Sequence, residues 1–239
     1  SVVGDCGHYV AGRRQGGRLP VDGAGATAAA SGGKGFVWIG LQQPTAEEVL
    51  RVAREFGLPA LAVEDAVNAH QRPKLELYGD VVFAVLKPVR YVDHVEVVDI
   101  AEVAVFLGAS FVVTVRHGVT EVLHQVRREL DGGVAGARVE FGAASVLYRA
   151  ADLVVDGYER AIELMDEDVD EIEAQVFGPG GDDHAERIYK LKSEVAELRR
   201  AVVPLGRALD RIVTEGVLHI PAEAAPYFRD VHDHVLRAS

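Results

Sequence analysis

The chain has 239 residues, of which 49% are hydrophobic, and this content is sufficient for a large buried core. Its 37 acidic and 25 basic side chains give a formal net charge of −12 at pH 7, which repels nucleic-acid phosphates and attracts cations. The single cysteine, Cys6, excludes an intramolecular disulfide and a thiolate metal cluster, which fits a reducing compartment. The composition therefore predicts a folded cytosolic chain with no nucleic-acid partner.

No stretch approaches the roughly 18 uncharged apolar residues that a membrane-spanning helix needs. The longest apolar stretch, Val103 to Val115, is interrupted by Gly108 and is rich in β-branched residues, so it predicts two buried strands and a turn. The N-terminus shows no cationic segment followed by an apolar one, as a signal peptide would. We therefore expect these residues to be soluble and to make no membrane contact.

Residues 1–35 are expected to contain an N-terminal strand and then a flexible segment, because Gly12 to Gly35 are rich in glycine and alanine without a sustained period. A buried strand from Phe36 to Leu41 follows. The next pattern predicts a helix over Ala46–Phe56, with Thr45 as N-cap and Glu48 completing a capping box.

A short helix from Leu61 to Asn68 leads into a run of strands. These strands are predicted at Leu75–Tyr78, Val81–Val89, Val97–Leu107 and Phe111–Arg116, and a helix follows from Thr120 to Leu130. Strands in hairpin order with flanking helices predict an α+β or α/β sandwich, here called the head, over residues 36–140.

From Phe141 onward the hydrophobic period becomes that of long helices. Two seams with three-four spacing are present, the first at Leu147, Ala151, Val154, Tyr158, Ile162, Met165, Val169, Ile172 and Val176, and the second at Ile188, Leu191, Val195, Leu198, Val202, Leu205, Leu209 and Ile212. A glycine-rich break ending at Gly181 separates them, and Asp182 or Asp183 can cap the second helix. Residues 141–239 therefore predict a long antiparallel helical hairpin, followed by a last helix that starts near Pro226 and is cut off in mid-pattern at Ser239.

Three acidic groups could supply metal ligands: Glu64 with Asp65, Asp152 with Asp156, and Asp230 with Asp233 and His234. Oxygen donors of this kind suit Mg²⁺ or Ca²⁺ better than zinc. Carboxylates four residues apart on a helix repel each other unless a cation lies between them. In a chain this acidic, however, each group by itself is more often a solvated surface than a metal site.

Motifs for catalysis are missing from the sequence. The nine histidines show no His-Glu-x-x-His spacing, and no serine lies in a Gly-x-Ser-x-Gly turn. The sequence therefore predicts a protein that is not an enzyme.

The stretch Leu61 to Glu76, which reads LAVEDAVNAHQRPKLE, resembles the CorA family of magnesium and cobalt transporters. The stretch Pro226 to His234, which reads PYFRDVHDH, is similar to a second signature of that family. Asp152 and Asp156 also lie where the family pattern has acidic residues. The resemblance extends over roughly residues 36–239.

The resemblance implies the cytoplasmic regulatory domain of a homopentameric divalent-cation transporter, located at the cytoplasmic face of the cell membrane. It implies that residues 36–140 form an α/β/α sandwich head and that the last helix is the start of a membrane stalk. It also implies that Mg²⁺, for which Co²⁺ or Ca²⁺ can substitute, binds between neighbouring domains and closes the pore when it is abundant. The residues that the resemblance assigns to the metal are Glu64, Asp65, Asp152, Asp156 and Asp230, with His70, Asp233 and His234 as weaker candidates that act through water.

Two alternatives remain open at this stage, because the pore helices and their Gly-Met-Asn motif do not occur in the sequence. One is a zinc transporter of the same superfamily, whose head and hairpin would be similar. The other is a soluble coiled-coil adaptor whose acidic residues are solvated surface and sense no metal.

Overall fold

The computed structural model describes residues 3–180 and 183–239. The strands are β1 (Val3–Val10), β2 (Arg13–Arg14), β3 (Gly35–Gln42), β4 (Lys74–Tyr78), β5 (Val81–Leu86), β6 (Val89–Val92), β7 (Val97–Ile100), β8 (Glu102–Leu107) and β9 (Phe111–His117). The α-helices are α1 (Ala24–Ala30), α2 (Ala46–Phe56), α3 (Ala60–Asn68), α4 (Val122–Asp131), α5 (Ala144–Phe177), α6 (Ala185–Thr214) and α7 (Ala225–Arg237). This is the α+β fold expected from the sequence.

Seven strands form one sheet in the order β2-β1-β3-β9-β8-β5-β4. Only β3 and β9 pair in parallel, and the other neighbours in this sheet are antiparallel. Because side chains alternate along a strand, Trp38 faces the core shared with α4 and α5, whereas Val37 and Ile39 face the core shared with α1, α2 and α3. The head is therefore an α/β/α sandwich.

The predicted start and end of α2 are confirmed. The Thr45 hydroxyl accepts a hydrogen bond from the Glu48 amide at 3.3 Å, and the Glu48 carboxylate accepts one from the Thr45 amide at 2.8 Å. Gly57 ends the helix with φ 63°, a left-handed conformation that glycine adopts without steric cost.

The sequence suggested that Gly12 to Gly35 form a flexible segment, but this stretch contains β2 and α1. Ala24 and Ala28, one turn apart, are buried against the sheet. Gly25 lets α1 approach α2 closely, since a Cβ there would lie 2.4 Å from the Glu55 carbonyl oxygen. The alanine-rich composition that resembled a linker is thus what allows this close packing.

The predicted strands Val81–Val89 and Val97–Leu107 are each split in two. β5 stops at Leu86 and β8 starts at Glu102, while β6 and β7 leave the large sheet and pair with each other. Pro88 has no amide hydrogen to continue the first ladder, and its carbonyl accepts a hydrogen bond from the Ala101 amide at 2.9 Å. The separate β6–β7 ribbon packs against α5 and α6.

Glu102 is 4% exposed and connects three segments at this crossing. One carboxylate oxygen lies 2.8 Å from the Lys87 ammonium and accepts a hydrogen bond of 2.7 Å from the Gln71 amide. Gln71 follows Ala69 and His70, which have φ values of 54° and 60°. Positive φ is unfavourable for residues with a Cβ, so the bond to Glu102 helps to hold this turn after α3.

The hairpin of α5 and α6 is antiparallel, as predicted. Arg187, near the start of α6, contacts Glu171 late in α5 at 3.0 Å, whereas Tyr158, in the middle of α5, donates to the Ala201 carbonyl at 3.2 Å. At about 1.5 Å per residue, α5 is roughly 50 Å long. Asp183 accepts a hydrogen bond of 2.9 Å from the Ala185 amide, but the N-cap of α6 is His184, one position later than predicted, and its side chain makes no cap bond. Gly181 and Asp182 lie outside the described residues.

The predicted seams are buried where the hairpin lies on the head and open towards its tip. Tyr158 and Met165 are buried, but Val169, Val176, Ile188 and Val195 are between 38% and 45% exposed. None of the described helices is both long and apolar enough to cross a membrane.

α7 is fixed to the head by its first turn. Phe228 is fully buried and lies 5.5 Å, between ring centroids, from Tyr148 of α5 in an edge-on arrangement. Val231 and Val235 continue the buried stripe at helical spacing. The acidic positions of α7 are therefore on its outer side.

We expect Glu102→Ala to lower the free energy of unfolding by about 3–5 kcal/mol, because it leaves a largely buried ammonium and a buried amide without their partner. Urea denaturation followed by circular dichroism measures this change. The matched control is Glu163→Ala, which removes an exposed ion pair with Arg160 and should cost about 0–1 kcal/mol. Equal effects of the two substitutions would show that Glu102 does not hold the crossing together.

Candidate divalent-cation site

One acidic surface is formed by α5 and α7. Asp152 and Asp156 lie on α5, and Asp230, Asp233 and His234 lie on α7. His234 joins the two helices, with its Nδ1 at 2.8 Å from a Glu159 carboxylate oxygen and its Nε2 at 3.7 Å from Asp230. The structure thus places two of the three predicted groups on one surface.

Glu159 belongs to this surface and was missed by the sequence analysis. It lies seven residues after Asp152, so it is on the same side of α5, and that spacing was the signal available in the sequence. His234, expected to act through water, contacts Glu159 directly. The surface therefore has one more carboxylate than was predicted.

The two acids on α5 differ in their partners. Arg149 donates to Asp152 at 2.6 Å and also binds Glu129 at 2.6 Å. Asp156 has no hydrogen bond or ion pair in the described part of the chain. Desolvation by the helix surface raises the pKa of Asp156, the charges of Asp152 and Glu159 raise it further, and these effects outweigh the lowering by Arg149 and His234. Asp156 is therefore a carboxylate without charge compensation.

Glu64 and Asp65 occupy a different part of the fold. Asp65 accepts a hydrogen bond from the Lys74 ammonium at 2.6 Å, so its charge is already compensated within the chain. Glu64 is exposed, has no such partner among the described residues, and lies beside a groove between α2 and α3. His70 is exposed on the turn that follows α3.

The two regions cannot combine within one chain as it is folded here. α3 packs on one face of the sheet, whereas α5 and α7 belong to the core on the other face. In residues 3–180 and 183–239, no three His, Cys, Asp or Glu side chains converge closely enough to hold a metal ion. The oxygen donors are of the kind that hard divalent cations prefer.

The chain resembles two curated proteins in sequence. It is 31% identical over 192 residues to the cobalt/magnesium transport protein CorA of Thermotoga maritima, which covers 79% of this chain and 54% of that protein. It is 27% identical over 204 residues to the putative metal ion transporter YfjQ of Bacillus subtilis, covering 85% of this chain and 62% of that protein. The chain thus spans between about half and three-fifths of the length of these relatives.

Solved structures share the fold. The soluble domain of CorA from Methanocaldococcus jannaschii superimposes with a TM-score of 0.77 at 12% identity, covering 100% of this chain and 91% of that one. Full-length CmaX gives 0.77 at 18% identity, covering 99% and 71%. The ZntB cytoplasmic domain from Vibrio parahaemolyticus gives 0.66 at 12% identity, covering 85% and 79%.

A family model described as the CorA-like Mg²⁺ transporter protein matches residues 33–239, which is most of the chain. The curated relatives and the shared fold agree with this match. The chain belongs to the CorA-like Mg²⁺ transporter family.

Proposed function

We propose that this chain is the cytoplasmic regulatory domain of a divalent-cation transporter, and that it senses Mg²⁺ with carboxylates contributed by neighbouring copies. The domain itself catalyses no reaction. One observation carries the proposal. The sheet separates Glu64 and Asp65 from the acidic residues of α5 and α7, so each of these two groups of oxygen donors faces outward. In an oligomer, proposed here to be a pentamer at the inner face of the cell membrane, one copy's α3 would face another's α5–α7 surface.

The charge of the α5–α7 surface supports this assembly. Asp156, Asp233 and Asp230 carry negative charge, and of the three only Asp230 has a partner within the described residues, the distant ring of His234. Carboxylates from two copies repel when they are brought together without a cation. A bound divalent cation would supply the positive charge that makes this contact favourable.

The surface beside Glu64 is suited to contact with another copy. Leu50 is 47% exposed and lines the apolar groove between α2 and α3 together with Glu64, and Leu61 of α3 is 66% exposed. Clustered exposed apolar side chains of this kind mark interaction surfaces. Glu64, at the edge of such an apolar contact, would bind a cation in a partly desolvated environment.

Gating follows from a difference in affinity. An arrangement of copies in which α3 meets the α5–α7 surface binds the cation, and an arrangement in which they are apart does not. High cytosolic Mg²⁺ would therefore favour the first arrangement, which we assign to the closed pore. At low Mg²⁺ this arrangement would be lost, because the carboxylates, no longer neutralised by the cation, repel each other and separate the copies.

The zinc-transporter alternative shares the fold, as the ZntB domain does, but the donor set argues against it. Six carboxylates and only two exposed or partly exposed histidines are in the predicted groups, and His234 already contacts Glu159. Oxygen-dominated sets favour Mg²⁺, whereas zinc sites use imidazole and thiolate. The adaptor alternative has no support in a chain whose family model covers residues 33–239.

We expect Asp65→Asn combined with Asp230→Asn to abolish Mg²⁺-dependent protection from protease in the full-length, membrane-embedded protein, because one acid is removed from each proposed half-site. Limited proteolysis over a series of Mg²⁺ concentrations measures the effect. Unchanged protection would contradict the sensing proposal.

The matched control for this experiment is Asp166→Asn combined with Asp170→Asn. These two acids are exposed on α5 outside the proposed surface, and their removal changes the net charge by the same amount. Protection should remain as in the unaltered protein. Equal loss in both variants would mean that total charge, rather than a site, controls the response.

We expect Asp156→Asn to increase the free energy of unfolding of the metal-free chain by about 0.2–0.5 kcal/mol at neutral pH, since it removes like-charge repulsion at i,i+4 spacing. The folded-state pKa of Asp156 is raised, so the ionised carboxyl destabilises the fold above that pKa and stops doing so as the pH falls through it. The advantage of the variant should therefore shrink with acidification. Urea unfolding at several pH values tests this, and a variant less stable than its parent at neutral pH would refute it.

A further inference from the structure

A small cavity of about 110 Å³ lies at the carboxyl ends of β3 and β9, and none of the residues assigned above to the cation site lines it. After β3 the chain continues into α2 on one face of the sheet, and after β9 it continues into α4 on the other face. The two strands are parallel neighbours, with Gln42 paired to Arg116. Such a switch point opens a crevice at the strand ends, which is where α/β sheets bind ligands.

The first basic group in this cavity is Arg127 of α4. Its guanidinium stacks on the Trp38 ring, 3.6 Å from the ring centroid. It donates hydrogen bonds of 3.1 Å to the Tyr9 hydroxyl and of 3.4 Å to the Trp38 carbonyl. Its Nε lies 3.3 Å from the Asp5 carboxylate. Most of these exceed the usual range for N–H···O bonds. Asp5 is bound more closely by Arg14, at 2.6 and 2.8 Å. Arg127 thus has donors that the chain does not satisfy well.

The second basic group is Arg116 at the end of β9. Its Nη atoms reach the Thr120 carbonyl at 3.3 Å and the Gln42 side chain at 3.2 Å, and no carboxylate pairs with it within the described residues. Its Nε is buried and has no hydrogen-bond partner, the only such side-chain atom in residues 3–180 and 183–239. Buried donors are normally satisfied, so Arg116 is incompletely paired within the described residues.

Size and shape restrict what the cavity can accept. At about 30 Å³ per water, it holds roughly three or four waters, and it is far below the roughly 300 Å³ of pockets that enclose drug-sized ligands. Gly40 contributes no side chain, and a Cβ there would lie 3.5 Å from an Arg127 Nη atom and 3.6 Å from the Thr114 hydroxyl. The space beside both the arginine and the hydroxyl is therefore left open by glycine.

We propose that this cavity binds a small tetrahedral oxyanion, with inorganic phosphate as its simplest form, held by Arg116 and Arg127. Guanidinium groups match the oxygens of phosphate with paired donors, and the Thr114 and Thr120 hydroxyls can add neutral bonds. The site is notable in a chain with net charge −12, because the cavity has two arginines and one carboxylate, and Arg14 already neutralises that carboxylate. It is independent of the cation-sensing proposal, since it shares no residue with the acidic groups.

The test uses Trp38, the only tryptophan of the chain, as a reporter inside the cavity. Its fluorescence is measured while inorganic phosphate is titrated into residues 1–239 at constant ionic strength, with chloride as the balancing anion and without divalent cations. We expect a saturable change. A folded chain with no saturable response to phosphate would overturn the proposal.

Arg116→Gln should weaken phosphate binding about tenfold or more, because hydrogen bonds to charged groups are the stronger class. The matched control is Arg128→Gln, which removes the same charge from an exposed position of α4 that does not line the cavity. This variant should bind phosphate as the parent does. Equal weakening in both variants would overturn the proposal, since it would show a nonspecific charge effect.

Gly40→Ala keeps every charge and tests the site even if Arg116→Gln does not fold. The added methyl makes ordinary contacts, so the chain should fold, but the methyl occupies the space next to Arg127 and should weaken binding. Binding as in the parent would overturn the proposal. Competition by adenosine monophosphate would identify a phosphorylated ligand at the cavity mouth as the source of the oxyanion, and its failure to compete would identify free phosphate.

Discussion

The buried carboxylate of Glu102 is the interaction on which the head and the hairpin both depend. It binds the Lys87 ammonium and the Gln71 amide at the point where the chain leaves the large sheet for the β6–β7 ribbon. The Lys87 carbonyl, in turn, accepts a hydrogen bond of 2.7 Å from Tyr158, which is fully buried in α5. One ion pair thus fixes the turn after α3, the crossing between the two sheets and the position of the long helix. Because these groups are buried, each depends on the others for its hydrogen bonds.

Fixing α3 and α5 to opposite faces of one sheet has a consequence for the acidic groups. Within a chain, the carboxylates of the two regions stay apart, and Lys74 and Arg149 each neutralise one member of a predicted pair. Asp156 keeps a raised pKa because nothing compensates it fully. A cation that takes several oxygen ligands could collect them from neighbouring copies, and this is the physical basis of the sensing role proposed above.

The charge of the chain is also separated in space. Acidic side chains lie on the outer surface of α5 and α7, whereas Arg116 and Arg127 line the cavity at the ends of β3 and β9. A net charge of −12 describes only the average of these regions. The two proposed sites, one for a cation and one for an anion, share no residue.

Local signals in the sequence determined much of the fold. The capping box of Thr45 and Glu48, the glycine at position 57 and the three-four spacing of Leu147 to Tyr158 each depend on near neighbours in the chain, and the structure has all of them. The long motifs around Asp65 and Asp230 led to the family, which the match over residues 33–239 confirmed. The proposed metal role of those residues stays a prediction.

Tertiary contacts decided the rest. The strand breaks at Pro88 and Ala101 follow from the crossing held by Glu102, and α1 exists because Gly25 permits contact with Glu55, which is 30 residues away. Glu159 joined the acidic surface because α7 brought His234 to it from a distant part of the sequence. The arginine cavity combines β3, β9 and α4 in the same way. Hydrophobic periodicity and helix caps act over a few residues, so the sequence by itself determined the helices and strands. Contacts between residues far apart in the chain decided where strands end and which charged groups meet.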